Sequence, residues 1–204
     1  KADAVLSWCH GNAGNIIHRL DNLRDLYGIG VSVFLFDYRG YGRSEGRPSE
    51  EALYEDGLAA YDYLVTRRRI RPERIILFGR SLGGAVAGEV ASHRPAAGLI
   101  LESAFPSVEA VAKAHYWGLP VHYLLGARFR LADRLPHLSL PILVIHGDQD
   151  EIIPISLGRA VFDAIKGPKY WYQVHGAGHN DLPMVGGRPY FERLQAFVAS
   201  LRLR

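Results

Sequence analysis

Ile75-Ile76-Leu77-Phe78-Gly79-Arg80-Ser81-Leu82-Gly83-Gly84-Ala85 reads as a buried strand running straight into G-x-S-x-G and then into a helix of small residues. An unbroken apolar run of this kind marks a strand covered on both faces. A serine between such a strand and a helix sits on a strained bend, so the residues two before and two after it, Gly79 and Gly83, have to be small for the bend to close. The bend lifts the Ser81 hydroxyl out of the sheet. The helix points its positive end at the same spot, with the backbone N–H of Leu82 placed to stabilise an oxyanion. A glycine-rich turn with an incidental serine is the alternative; the strand before it and the helix after it argue for the first reading.

Around this unit, short β-rich runs alternate with longer segments of helical period, which predicts an α/β fold: a mostly parallel sheet covered by helices on both faces. The strands are expected at Ala4 to Trp8, Val31 to Phe36, Arg74 to Phe78, Gly98 to Leu101, Ile142 to His146 and Tyr170 to Val174. Ile16, Leu20, Leu23 and Tyr27 form one apolar stripe and predict the first helix. A second starts near Ser49, a good N-cap, with Glu50 and Glu51 facing its positive end. A third follows Ser81 and stops near Pro95, a fourth spans about 157 to 165, and the last carries Phe191, Leu194, Phe197, Val198 and Leu201. The aromatic and basic stretch from Pro106 to Leu140 breaks the alternation, as a short functional lid would.

A serine hydroxyl is a weak nucleophile near neutral pH and needs a base, itself held by a carboxylate. After an elbow of this type the acid and then the base follow on loops behind later strands. Gly147-Asp148-Gln149-Asp150 follows the fifth strand, and His175-Gly176-Ala177-Gly178-His179 follows the sixth. Asp148 and Asp150 compete for the acid. Among nine histidines, His179 stands out by its glycine-flanked loop, whereas His175 lies too close to the strand to swing toward Ser81. Asp181 is placed to fix that loop, and His146 reads as a strand-end residue. His10-Gly11-Asn12-Ala13-Gly14-Asn15, after the first strand, lets backbone approach a substrate closely.

Composition bounds the rest. At 204 residues, with 48% hydrophobic and 22% charged residues, the chain suits one domain over 1–204, with 106–140 as an insertion within it. No apolar run approaches the roughly 20 residues a membrane-spanning helix needs. A net charge of +3 and a pI near 9.0 are too small an excess to predict nucleic-acid binding, and Arg67, Arg68, Arg69, Arg71 and Arg74 read as solvated helix ends. The one cysteine, Cys9, rules out an internal disulfide and lies in an apolar run, as buried packing does. The chain opens at Lys1 and enters Ala4-Val5-Leu6 at once, without the basic stretch and about 7 to 15 apolar residues of a signal peptide. We expect it to be a piece with residues upstream.

Four stretches, spread over nearly the whole chain, resemble the α/β-hydrolase superfamily: His10 to Asn15, Asp37-Tyr38-Arg39-Gly40-Tyr41-Gly42-Arg43-Ser44, the elbow at Ser81, and His146 to Asp150 with Gly178-His179-Asn180-Asp181. Their combination resembles the branch of membrane-tethered protein depalmitoylases and related bacterial hydrolases. The resemblance implies an α/β-hydrolase fold whose strands correspond to family strands three to eight, with a short cap insertion. It favours Asp150 over Asp148, through the pattern H-G-x-x-D-x-x-x-P, and makes the backbone N–H of Asn12 the second oxyanion donor beside Leu82. The catalytic set it implies is Ser81, Asp150 and His179, acting on carboxylic esters or thioesters without metal or organic cofactor. A lipase, a peptidase or a non-catalytic binding protein of the same fold are the alternatives. The cap implies a shallow acyl site walled by Phe105, Tyr116, Trp117, Leu124 and Leu125, although these aromatics would serve equally as packing. Arg128, Arg130 and Arg134 would face an anionic membrane surface. A cytoplasmic location is expected, with any tether upstream; the oligomeric state is left open. With the first two family strands missing, Val31 to Phe36 becomes an open edge that upstream residues or another chain should cover.

Overall fold

The protein is described by a computed structural model covering residues 4–12, 16–115, 126–201 and 203. Six strands form one parallel sheet: β1 (Ala4–Cys9), β2 (Val31–Leu35), β3 (Ile75–Arg80), β4 (Gly98–Glu102), β5 (Ile142–Gly147) and β6 (Lys169–Val174), in the order β2-β1-β3-β4-β5-β6. All six expected strands are present, each displaced by a residue or two at an end. β3 extends to Arg80 because its backbone stays in register with β4, Arg80 facing Glu102.

Side chains alternate across the pleat, so each strand feeds two cores. Leu77, Leu99, Leu101 and Val144 pack on one face with Leu53, Val86 and Val161, which belong to α2 (Glu50–Thr66), α3 (Leu82–His93) and α5 (Ile155–Ala164). Ile76, Phe78, Ile100, Leu143 and Ile145 pack on the other with Leu26, Leu194 and Phe197, from α1 (Leu20–Gly28) and α6 (Leu182–Ser200). Ser49 caps α2 as expected, its side chain accepting from the Ala52 N–H at 3.1 Å. Glu50 does more than face the helix end: its carboxylate accepts the N–H groups of Arg128 and Phe129 and the Tyr54 hydroxyl, tying the returning part of the insertion to α2. α6 is kinked at Gly187, which has φ +50, just before Pro189.

Within the insertion, α4 (Val108–His115) and a short 3-10 turn (Leu135–His137) are described, and Tyr116, Trp117, Leu124 and Leu125 lie outside the described residues. Arg134 is bound to Glu89 and lies over the Tyr54 ring, so it does not present its charge freely to a surface; Arg130 approaches Asp133 at 3.7 Å. Arg67, Arg68, Arg69 and Arg71 are exposed beyond the end of α2, and Cys9 is buried. β2 is an edge strand; Phe34 on it stacks on Tyr63 of α2, with ring centroids 5.7 Å apart. Among the described residues no helix is long and apolar enough to cross a membrane.

Candidate active site

The strand order reverses direction at β1. From β1 the chain passes to α1 on one face, while from β3 it passes to α3 on the opposite face. Two connections that part in this way leave a crevice beyond the carboxyl ends of their strands, where ligands bind in open α/β sheets. A cleft of about 220 Å³ lies there, lined by Gly11, Asn12, Arg80, Ser81, Ile152, His179 and Asn180.

Ser81 occupies the bend between β3 and α3 with φ 52 and ψ −119, a conformation side chains rarely adopt. The bend is held from outside: the Ser81 N–H donates to the Glu102 carbonyl at 2.8 Å. The glycines around it are there for contact. A Cβ on Gly79 would lie 2.6 Å from the Gly84 Cα and 2.8 Å from the Ala87 Cβ, and one on Gly83 would run into the carbonyl of Cys9. Gly83→Ala should therefore destabilise the fold by about 3 kcal/mol, lowering Tm on the order of 10 °C in a melting curve, because rigid backbone has to yield.

Three side chains meet at the cleft. The Ser81 hydroxyl lies 3.0 Å from Nε2 of His179, across 98 residues of chain, and Nδ1 of the same ring lies 2.8 Å from Oδ2 of Asp150. A carboxylate only accepts, so the proton sits on Nδ1, leaving Nε2 as the acceptor for the serine O–H. Asp150 is itself fixed: Oδ1 accepts the Ile152 and Ile153 N–H groups at 3.0 and 2.7 Å. Burial works against its charge, but hydrogen bonds from His146, His179 and the Ile153 N–H hold its carboxyl well below the usual range. His146 thus does more than end a strand. Its Nε2 lies 3.4 Å from Oδ2 of Asp150 and 2.8 Å from the Ile153 carbonyl, and Gly158 of α5 leaves room for its ring.

Asp148 and His175 pair with each other instead, 2.9 Å apart, with Asp148 also accepting the Gly176 N–H; His175 is exposed. Asp181 accepts the Gly178 N–H and so fixes the histidine loop. The N–H of Leu82 opens α3 beside Ser81, where helix donors lack partners within the helix. Asn12, which follows β1, also lines the cleft. The Asp37-to-Ser44 motif braces this side: Asp37 accepts the Ile16 N–H and meets the buried His10 at 3.2 Å, while the Tyr41 hydroxyl donates to the Asn12 side chain at 2.6 Å. Phe105 is 6% exposed and packs into the core under α2 and α3, away from the cleft lining. An apolar residue beside a strand end serves as wall or core, and here the sheet's own packing takes it. Ile152 and Asn180 line the cleft instead, placed there as neighbours of Asp150 and His179.

Residues 1–129 match the family model described as "Serine aminopeptidase, S33". Human alpha/beta hydrolase domain-containing protein 17B is 37% identical over 204 residues, covering 98% of this chain and 67% of that protein. The chain belongs to the α/β-hydrolase superfamily. The Mycobacterium tuberculosis protein Rv2307c is 41% identical over 190 residues, covering 93% of this hydrolase and 68% of its relative. In three dimensions, an alpha-beta hydrolase from Vibrio vulnificus superposes with a TM-score of 0.80 at 24% identity, covering 95% of this chain and 74% of that one. The monoacylglycerol lipase of Paleococcus ferrophilus gives 0.72 at 19% identity, covering 98% and 95%. These neighbours share the α/β-hydrolase fold.

Proposed function

We propose that this hydrolase cleaves carboxylic esters or thioesters through a covalent acyl-enzyme on Ser81. The observation that carries the reading is the continuous relay from the Ser81 hydroxyl through His179 to Asp150, with heavy-atom distances of 3.0 and 2.8 Å. Ser81 Oγ attacks the substrate carbonyl while Nε2 of His179 takes its proton, and the carbonyl oxygen becomes an oxyanion facing the N–H groups of Leu82 and Asn12. The tetrahedral adduct collapses as the imidazolium hands that proton to the departing alcohol or thiol. Water then repeats the sequence and frees the acid and Ser81. Asp150 stays ionised throughout and stabilises the imidazolium.

The name of the matching family model raises aminopeptidase activity as a competitor. Such an enzyme must hold the substrate's terminal ammonium, which calls for a carboxylate at the cleft. Among the described residues the cleft lining carries none. Ile152, which lines the cleft, is an exposed apolar residue that suits an acyl chain. The test is turnover of p-nitrophenyl esters of rising chain length, a palmitoyl-thioester peptide and an aminoacyl anilide. Ester or thioester cleavage with no anilide cleavage is expected; anilide turnover without ester turnover would replace the proposal.

A further inference from the structure

Arg80 is an ion buried beside the cleft, 3% exposed, and its partner Glu102 is 1% exposed. They face each other in the β3–β4 register, with the Arg80 Nε 3.3 Å from Glu102 Oε1. Tyr190 of α6 donates its hydroxyl to the other Glu102 oxygen. It reaches the sheet past the kink at Gly187, close against Gly186, where a Cβ would stand 2.8 Å from its own. A buried ion pair of this kind is weak evidence for stability, since an apolar pair of similar volume often does as well. What distinguishes the group is its remaining bonds. Nη2 of Arg80 donates to the backbone carbonyl of His179 at 3.0 Å and approaches Oδ1 of Asn180 at 3.5 Å. The backbone carbonyl of Glu102 holds the Ser81 N–H at 2.8 Å.

We infer that Arg80, held by Glu102 and Tyr190, is a positioning residue that sets the distance between nucleophile and base by anchoring the His179 loop to the strand that carries Ser81. The inference rests on the reading of Ser81 and His179 given above. The loop needs such an anchor. It is built on Gly176, with φ +78, and Gly178, and apart from the contacts of the His179 ring with Ser81 and Asp150 its described bonds run to Asp148, Gln149, Val174 and Asp181, on the acid's loop, at the end of β6 or within itself. A guanidinium suits the task because its planar fork donates in two directions at once, to Glu102 and to the His179 carbonyl. A lysine ammonium at the end of a flexible stem cannot reproduce that geometry.

The test is Arg80→Lys in the full chain, read in two ways. At saturating p-nitrophenyl butyrate, kcat should fall roughly 30- to 100-fold with KM within about threefold, since the reacting groups are misplaced while the cleft wall is kept. In hydrogen exchange without substrate, amides of residues 175–181 should exchange about tenfold faster while those of α3 and α5 keep wild-type rates. Leu194→Ala, which opens a hole in the core under α6, supplies the contrast: faster exchange across the whole fold and unchanged kcat per folded molecule. Wild-type exchange at 175–181, an increase shared equally by α3 and α5, or unchanged kcat would each overturn the assignment. Should Arg80→Lys fail to fold, Tyr190→Phe releases Glu102 more gently and should shift loop exchange and kcat in the same directions by about threefold; no shift would overturn it. Exchange is measured on the resting protein, so it speaks to Arg80 whether or not the wild type proves active on esters.

Discussion

Ser81→Ala should leave a folded protein whose kcat on p-nitrophenyl esters has fallen by roughly 10⁶-fold and which a fluorophosphonate probe no longer labels. The size follows from what is lost. Without Oγ no acyl-enzyme forms, and His179 at 3.0 Å has nothing to deprotonate except water. The residual rate would come from the oxyanion donors and substrate binding, which survive the change. The fold should survive too, because alanine meets the same positive φ as serine and the bend is fixed through the backbone bond to Glu102. His179→Ala should cost about as much, and the double variant little more, since groups that act as one unit do not add. Circular dichroism and labelling of the purified variants check both points. Ester turnover by folded Ser81→Ala at the wild-type rate would refute the proposed mechanism.

Asp150→Asn should lower kcat by about 10⁴-fold with little change in KM. The carboxylate fixes the tautomer: only an acceptor at Oδ2 keeps the proton on Nδ1 of His179. An amide at this position can turn its NH₂ toward Nδ1, which moves the imidazole proton to Nε2 and leaves the serine without a base. The same residue has a pH signature. Its folded-state pKa is depressed: burial opposes the charge, but the hydrogen bonds from His146, His179 and the Ile153 N–H outweigh it. A depressed carboxyl contributes stability that is fully present above its unfolded pKa, at about pH 4, and is lost as pH falls toward the folded value. Wild-type Tm should therefore drop on acidification below about pH 4, and Asp150→Asn should lose less over the same window.

The parts legible in the sequence were those whose signal is local. Ile75 to Phe78 and Ile142 to Ile145 announce strands because nothing polar interrupts them, and the elbow announces itself because Gly79 and Gly83 have no steric alternative. His179 was distinguishable from His175 by its distance from a strand end, and Asp150 from Asp148 by a spacing shared with a family; the geometry brings the two favoured residues together. Long-range polar pairing was not legible. Glu102 and Tyr190 stand 88 residues apart, and a charged residue such as Arg80 reads as surface until its burial is seen. Nor does composition separate wall from core, as Phe105 illustrates. The bracing of Asn12 by Tyr41 joins two motifs that each looked self-contained.

Every strand pair in this sheet is parallel, so among the described residues no pair of the sheet is a hairpin that could zip up from a turn. Each pairing must wait for a crossover to close, and folding of such topologies is correspondingly slow. The serine elbow needs only β1, β3, β4 and α3, whereas the imidazole comes later in the chain, on the loop between β6 and α6. During synthesis or refolding the chain should therefore pass through forms that hold a shaped but inert nucleophile, with the base supplied only after the elbow is formed.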